Sequence, residues 1–167
     1  MKSELYKAIT TIDITKLDDD DKLELLRIFM LTKNPLIYNH IAFIFSDLHY
    51  NKAIPYIIRK INHKSTFNDR GSLVFALDNL NSKKYFISFI KIICEQGYES
   101  RLMAFGIIEK YVSIISNQKK RSAFNILEKY RIKEEQSKND KGENSRLHFI
   151  EKTEELLGCF SYKTKHR

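Results

Sequence analysis

The residues best suited to catalysis or metal binding in this 167-residue chain are its five histidines and two cysteines. His40 and His49 are nine residues apart, which places them on faces about 180° apart in an ideal helix and excludes an i, i+4 metal pair. Cys94 and Cys159 form no CxxC pair, so we predict buried thiols in a reducing compartment. The sequence therefore predicts neither a metal nor a cofactor.

Short catalytic motifs give no other sign of an enzyme. The sequence contains no HExxH, no Walker-type glycine loop, no GxSxG and no GxGxxG. The paired acids Glu134-Glu135 and Glu154-Glu155 lie among polar residues, as is typical of solvated helix faces. We therefore predict a protein that is not an enzyme.

Composition limits the class of protein. The chain is 43% hydrophobic and 30% charged, which is sufficient for the core of one domain. Five glycines and two prolines are too few for the turns of an all-β protein. No apolar segment is long enough for a membrane span, and the first residues do not resemble a secretory signal. We expect a cytoplasmic protein that does not contact the membrane.

The net charge of +8 is unevenly distributed. Residues 1–50 carry six Lys or Arg against eight Asp or Glu, whereas residues 51–93 carry eight against two. Residues 119–167 are also basic, with thirteen against eight. An acidic N-terminal region and a basic middle region are therefore expected, and the basic region favours an acidic partner.

Apolar residues recur at spacings of three and four in short blocks, which is typical of amphipathic helices. The Asp18–Asp21 run places acid in the first turn of a helix, where the helix dipole favours it. Asn34 and Pro35 form a second predicted start, with asparagine as cap and proline at the first helical position. Pro55 is compatible with a third helix if it lies in the first turn. No strand is predicted, so the fold class is all-α, with about eight or nine helices.

An internal repeat is the strongest signal in the sequence. A shift of 32 residues aligns Leu48 with Leu80, Lys52 with Lys84, Ile58 with Ile90 and Ile61 with Ile93. A shift of 31 aligns Arg70 with Arg101, Leu73 with Ala104, Ala76 with Ile107 and Leu77 with Ile108. A nearly constant interval of this length favours stacked helix pairs over an unrelated helical bundle.

The repeated segments resemble HEAT (armadillo-type) helical repeats over about residues 35–131. Asp69-Arg70-x-x-Leu73-x-x-Ala76-Leu77-x-x-Leu80 resembles a first HEAT helix, and the segment 52–61 (KAIPYIIRKI) resembles a second. The resemblance implies a short right-handed α-solenoid of HEAT-like helix pairs.

We predict a single domain over 1–167. Its parts are capping helices at 1–33, HEAT-like repeats at 34–133, a mobile loop at 134–145, a C-terminal helix at 146–158 and a basic tail at 159–167.

In HEAT-like proteins the second helices line a concave surface that binds a partner. The residues outside the apolar stripes of the predicted second helices form what we call the concave stripe: Lys52, Tyr56, Arg59, His63, Lys84, Ser88, Lys91, Arg121 and Asn125. Stacked repeats would place its cations on one surface. An ordinary solvated helix face remains the alternative interpretation.

Three kinds of partner suit a basic concave stripe. The first is a protein, with Tyr56 supplying a large contact area. The second is a nucleic acid, because phosphates bind basic grooves; HEAT-like DNA glycosylases are the enzymatic version of this alternative. The absence of tryptophan and of clustered aromatic residues on the stripe counts against it. The third is a larger assembly in which the chain is a scaffold subunit. The oligomeric state is not predicted.

Small stand-alone helical-repeat proteins of this kind are similar to bacterial immunity proteins, including those paired with contact-dependent inhibition toxins. This resemblance implies a chain that binds a cognate toxin and occludes its active site. Toxins that act on nucleic acid tend to be basic, so the surface for such a partner would be acidic. The candidate acidic patch is Asp18, Asp19, Asp20, Asp21, Glu24 and Asp47.

Overall fold

A computed structural model describes residues 4–66, 70–137 and 142–158. The α-helices in these ranges are α1 (Glu4–Thr10), α2 (Asp19–Leu31), α3 (Pro35–Asp47), α4 (Ile54–Ile61), α5 (Arg70–Ala76), α6 (Phe86–Glu95), α7 (Tyr98–Val112), α8 (Asn117–Gln136) and α9 (Arg146–Leu156). Short 3₁₀ helices occupy Ile14–Lys16, Asn51–Ala53, Lys64–Thr66 and Lys83–Tyr85. The described ranges contain no strand, which confirms the all-α class and the expected number of helices.

The predicted helix starts after Asp18 and Asn34 are confirmed. The Asp18 carboxylate accepts a hydrogen bond from the Asp21 N–H over 2.8 Å, and the Asp21 carboxylate accepts one from the Asp18 N–H over 3.2 Å. The Asn34 side chain accepts a bond from the Leu36 N–H over 3.0 Å, and Pro35 takes the first helical position. These contacts satisfy backbone donors that a helix leaves without intrahelical partners.

The chain folds as two compact units, one reaching to Ser82 and the other beginning at Lys83. In the first unit α3 contacts α1, α2 and α5, and α4 contacts α5. Pro55 lies in the first turn of α4, as predicted. The apolar faces of these helices form the core of the unit, which includes Phe29, Ile37, Ile41, Phe45, Ile57, Ile61, Leu73 and Leu77. The rings of Phe29 and Phe45 pack edge to face with their centroids 6.0 Å apart.

In the second unit α6 contacts α7, α8 and α9, and α9 also contacts α7 and α8. Its core includes Phe86, Phe89, Ile90, Ile93, Ala104, Ile107, Ile108, Ala123, Leu127 and Ile150. The buried Glu154 carboxylate accepts a hydrogen bond from Arg131 Nε over 3.2 Å, so α8 and α9 are joined by an ion pair as well as by apolar contacts.

The 32-residue interval recurs in the secondary structure. The 3₁₀ helix Asn51–Ala53 runs directly into α4 at Ile54, and the 3₁₀ helix Lys83–Tyr85 runs directly into α6 at Phe86. The two junctions are therefore 32 residues apart, which is the shift that aligns the two repeated segments of the sequence.

Several helix boundaries differ from those expected. Helix α8 continues through Gln136, so the first residues of the predicted 134–145 loop are helical. Of the rest of that loop, Ser137 and residues 142–145 are described, and residues 138–141 lie outside the described residues. Helix α9 spans Arg146–Leu156, close to the predicted 146–158. The predicted tail, 159–167, lies outside the described residues. The Ser82–Lys83 boundary between units falls within the predicted repeat region of 34–133.

Candidate functional site

A cleft of about 430 Å³ opens in the first unit, and we call it the α2–α4 cleft. One wall is the C-terminal end of α2 with the chain that follows it, and the other wall is α4 with the turn after it. The lining residues are Phe29, Met30, Leu31, Thr32, Lys33, Tyr56, Arg59, Lys60, His63, Ser65 and Thr66.

The α2 wall of the cleft is apolar. Phe29 is fully buried, whereas Met30 is 46% exposed and Leu31 is 72% exposed. Tyr56, from α4, adds a half-buried ring to the lining. Large apolar side chains that remain exposed together around a concavity are typical of a surface that contacts another molecule.

The charged side chains that line the cleft are all basic among the residues that the structure describes. Lys33, Arg59 and Lys60 line it together with the imidazole of His63, and none of these described lining residues is Asp or Glu. Positive charges that face a partly apolar concavity produce a local potential that attracts anionic groups, and salt weakens that attraction where the groups are exposed.

Lys60 forms hydrogen bonds with the C-terminal end of α2 and the chain just after it. Its ammonium donates hydrogen bonds to the main-chain carbonyl oxygens of Phe29 and of Thr32, the latter over 2.9 Å. The same ammonium lies 4.9 Å from the ring centroids of both Phe29 and Tyr38. Partial burial lowers the pKa of Lys60, while the carbonyl oxygens and rings stabilise its charged form. Lys60 therefore holds α4 against the C-terminal end of α2, where a helix favours a cation.

Hydrogen bonds order the turn after α4. His63 Nδ1 accepts a bond from the Ser65 N–H over 3.2 Å, and Thr66 Oγ1 donates to the carbonyl oxygens of Lys60, over 2.6 Å, and of His63, over 2.8 Å. Arg70 Nη2 also donates to the His63 carbonyl oxygen, over 2.8 Å. With Nδ1 engaged by Ser65, Nε2 is the ring nitrogen that His63 can offer to another molecule.

Arg59 and Lys33 are exposed cations of the cleft, and Arg59 lies beside an aromatic ring. Its guanidinium carbon lies 5.8 Å from the centroid of the Tyr56 ring, three residues earlier on α4. No carboxylate of the described residues forms an ion pair with Arg59. The guanidinium therefore keeps its planar set of N–H donors for a ligand, beside an aromatic ring that limits its motion.

The structure brings together three of the four predicted stripe residues of the first unit. Tyr56, Arg59 and His63 line the cleft, whereas Lys52 is exposed on the 3₁₀ helix Asn51–Ala53 and does not line it. In the first unit, three residues of the concave stripe therefore line the cleft, and the fourth, Lys52, lies outside it.

The remaining members of the concave stripe lie in the second unit. Lys84 is exposed on the 3₁₀ helix Lys83–Tyr85, Lys91 is exposed on α6, and Ser88 on α6 is half-buried. Arg121 and Asn125 are exposed on α8. Each faces solvent at least in part, as expected; one surface shared by the whole stripe stays a prediction.

The predicted acidic patch consists of Asp18, Asp19, Asp20, Asp21, Glu24 and Asp47, all exposed. Asp18 and Asp21 bond each other's backbone at the start of α2. Asp19 pairs with Lys22 over 3.2 Å, and Glu24 pairs with Arg27 over 3.3 Å. Most of the patch therefore has local partners, and its role toward a protein partner stays a prediction.

The residues first considered for catalysis do not converge where the chain is described. No group of three or more His, Cys, Asp or Glu among residues 4–66, 70–137 and 142–158 is arranged to hold a metal ion. His49 Nδ1 lies 2.9 Å from the Asn79 carbonyl oxygen. Cys94 is buried, and burial raises its pKa to about 12, so the thiol keeps its proton and is a poor nucleophile at neutral pH. Cys159 lies outside the described residues.

Sequence reasoning missed the α2 wall and Lys60. The signal for the wall was present, because residues 23–31 (LELLRIFML) carry too many apolar side chains for one buried face of a helix. Lys60 has no comparable signal, since its contacts with Phe29 and Thr32 arise only when α4 packs beside the end of α2.

Comparison with known proteins gives no family for this chain: no protein-family model, curated protein or solved structure matches it. None of the described helices has the length and apolar character needed to cross a membrane.

Proposed function

We propose that this chain is a non-catalytic protein-binding module whose partner docks in the α2–α4 cleft. The observation that carries the proposal is the lining of the cleft, in which the exposed apolar side chains of Met30 and Leu31 lie with the ring of Tyr56 and an exposed guanidinium. Aromatic and Arg side chains dominate the binding energy of many protein interfaces, and Met is enriched there.

A protein partner suits this cleft better than a nucleic acid. Nucleic-acid backbones are bound by cations that track successive phosphates, with aromatic rings on which bases stack. The cleft offers one half-buried ring, Tyr56, and a strongly exposed aliphatic residue, Leu31. Nucleic-acid binding through the wider concave stripe is the second candidate, favoured by the exposure of Lys52, Lys84 and Lys91.

We also propose that the module is a HEAT-like α-solenoid. The 32-residue recurrence of a 3₁₀ helix that runs into an α-helix supports internal repetition. The aligned arginines support it as well, because Arg70 and Arg101 are both buried near the start of a helix and both donate to main-chain carbonyl oxygens.

The biological form that we propose is immunity: the chain would bind a cognate bacterial toxin in the cytoplasm and occlude its active site. A scaffold role in a larger assembly is the alternative form of the same binding function. Co-expression with a toxin encoded by a neighbouring gene separates the two, because only an immunity protein would restore growth. Restored growth that is lost with Leu31→Glu would connect immunity to the cleft.

Photo-crosslinking tests the binding function directly. A benzophenone amino acid at position 31, in the full chain within its source cells, should yield a discrete protein adduct. The matched control is position 114, because Ile114 is also an exposed apolar residue, 55% exposed, and does not line the cleft. Equal adduct patterns at the two positions, or adducts with nucleic acid alone, would contradict the proposal.

A salt titration against random duplex DNA tests the second candidate. Micromolar binding with a steep salt dependence, weakened by Lys84→Gln and Lys91→Gln but unchanged by Leu31→Ala, would favour nucleic acid over protein.

A further inference from the structure

We infer that the occupant of the α2–α4 cleft is an acidic protein segment, with an apolar side chain in the cavity and a carboxylate on Arg59 and His63. This inference rests on the proposed function and specifies the chemistry of the partner.

The shape and lining of the cleft define the apolar part of the ligand. Its volume of about 430 Å³ lies within the range of roughly 300–1,000 Å³ that is usual for ligand pockets. Phe29 is fully buried, while Met30 and Leu31 remain exposed to an incoming group. An apolar side chain that enters between α2 and α4 would remove these surfaces from water, which is favourable in proportion to the area buried.

The charges of the cleft define the polar part of the ligand. The described lining contains the cations Lys33, Arg59 and Lys60, the imidazole of His63 and no carboxylate, so these side chains attract a ligand carboxylate. Lys60 already donates to two carbonyl oxygens at the end of α2. Arg59 and His63 are exposed and both line the cleft, Arg59 in the last turn of α4 and His63 in the turn that follows the helix.

A carboxylate fits these two groups better than a phosphate does. The planar guanidinium of Arg59 presents parallel N–H donors that match the two oxygens of a carboxylate. His63 can add a bond from Nε2, because Nδ1 is engaged by the Ser65 N–H. Phosphate recognition generally uses a cluster of arginines, and the described lining of the cleft contains one, Arg59.

A protein segment also fits better than a lipid surface. Exposed Leu31 beside Lys33 is compatible with a membrane interface, since such surfaces combine apolar and basic residues. However, the apolar side chains surround a cavity, and a concavity is filled by a protruding side chain of a partner. Binding to anionic vesicles is therefore an outcome that the test must include.

Selection from a random peptide library provides the test. Twelve-residue peptides displayed on phage are selected on the full-length protein, and the enriched sequences are measured as synthetic fluorescent peptides. Selected peptides should combine Asp or Glu with Leu, Phe or Met. Arg59→Gln should weaken their binding about ten- to hundredfold, as expected for a hydrogen bond between charged groups. His63→Gln should also weaken it, and replacement of the peptide acid by its amide should reproduce the loss.

Lys52→Gln is the matched control, because it removes one exposed positive charge next to α4 without altering the cleft lining. It should change peptide affinity less than about twofold, as expected for a distant surface charge. Circular dichroism of each variant establishes that it is folded, which is expected because Arg59 and Lys52 are exposed.

Three outcomes would overturn the inference. If the selected peptides require Leu31 and Tyr56 but show no enrichment of Asp or Glu, the inferred carboxylate contact is wrong and the proposed binding function stands. If no peptide that depends on the cleft can be selected, the inference is wrong. The proposed function has its own test, since it is wrong if crosslinking at position 31 gives no protein adduct. Binding to phosphatidylserine vesicles that is abolished by Leu31→Glu, without peptide binding, would assign the surface to a membrane.

Discussion

The ammonium of Lys60 donates a hydrogen bond to the main-chain carbonyl oxygen of Thr32 over 2.9 Å, and this contact joins α4 to the chain just after α2. A second bond from the same ammonium reaches the carbonyl oxygen of Phe29. The neighbouring residue on α4, Arg59, is exposed and has no such bond. Adjacent cations on one helix therefore have different roles, one in holding the cleft walls together and the other in offering charge to a ligand.

Lys60→Met should destabilise the protein while leaving much of the aliphatic packing in place. The carbonyl oxygens of Phe29 and Thr32 lose a charged donor, which is expected to cost about 1–3 kcal/mol. Urea denaturation followed by circular dichroism measures the change in the free energy of unfolding. Lys64→Met provides the comparison, since Lys64 is exposed and should change stability by less than about 0.5 kcal/mol. Equal effects of the two substitutions would show that the carbonyl bonds contribute nothing.

Phe29 and Leu31 are two residues apart on α2, and their truncation should change the stability of the protein by very different amounts. Phe29→Ala removes a fully buried ring and should cost about 3–5 kcal/mol of unfolding free energy. Leu31→Ala removes a side chain that is 72% exposed and should alter stability by less than about 0.5 kcal/mol. Thermal and urea unfolding of both variants test this contrast. A large loss with Leu31→Ala would mean that Leu31 serves the core, and it would weaken the case for a binding surface.

The aligned arginines Arg70 and Arg101 should both be needed for stability. They are 7% and 8% exposed, and burial lowers the pKa of each guanidinium. Replacement of either by Met leaves carbonyl oxygens without a charged donor and should cost about 1–3 kcal/mol. Arg121→Met, at an exposed position, should have little effect. If only one of the two buried arginines is sensitive, the equivalence implied by the 31-residue shift fails.

Cys94 should be unreactive in the folded protein. Because burial raises its pKa to about 12, little thiolate is present at pH 8. In a Cys159→Ser background, a thiol-specific disulfide reagent should label the chain at pH 8 only after denaturant is added. Rapid labelling of the native protein would contradict the buried position of Cys94.

The same shift predicts how stability depends on pH. The folded chain holds the Cys94 proton more tightly than the unfolded chain does. The contribution of protonated Cys94 to the free energy of unfolding is therefore complete below about pH 9 and is lost toward pH 12. The difference in unfolding free energy between Cys159→Ser and the double variant Cys94→Ala, Cys159→Ser should therefore decrease as pH rises above 9. A difference that stays constant to pH 11 would rule out this effect.

Local sequence rules were sufficient for much of the fold. The cap at Asp18 and the Asn34-Pro35 start were predictable because capping depends on residues within one turn of a helix. The apolar spacing of Ile54, Ile57, Ile58 and Ile61 likewise gave the buried face of α4. These features are set by contacts within one helix, which a sequence contains directly.

The cleft itself was only half predictable. Tyr56, Arg59 and His63 were chosen because they lie outside the apolar stripe of α4. Their separation from Lys52, and the apolar wall formed by Met30 and Leu31, depend on where α2 ends beside α4. That position is set by tertiary packing between segments about thirty residues apart. The excess of apolar residues at 23–31 indicates an exposed apolar surface but not that it faces α4.

The bond from Lys60 to Thr32 also bears on the order in which the first unit folds. The donor lies 28 residues after its acceptor, so the end of α2 lacks this partner until α4 has formed and docked. Helix-forming contacts within either segment can precede that event, but the apolar wall and the cations come together only through it. A nascent or partly refolded chain would therefore expose Met30 and Leu31 without Arg59 and His63 beside them, and recognition of an acidic segment by these two groups would begin only when the unit is assembled.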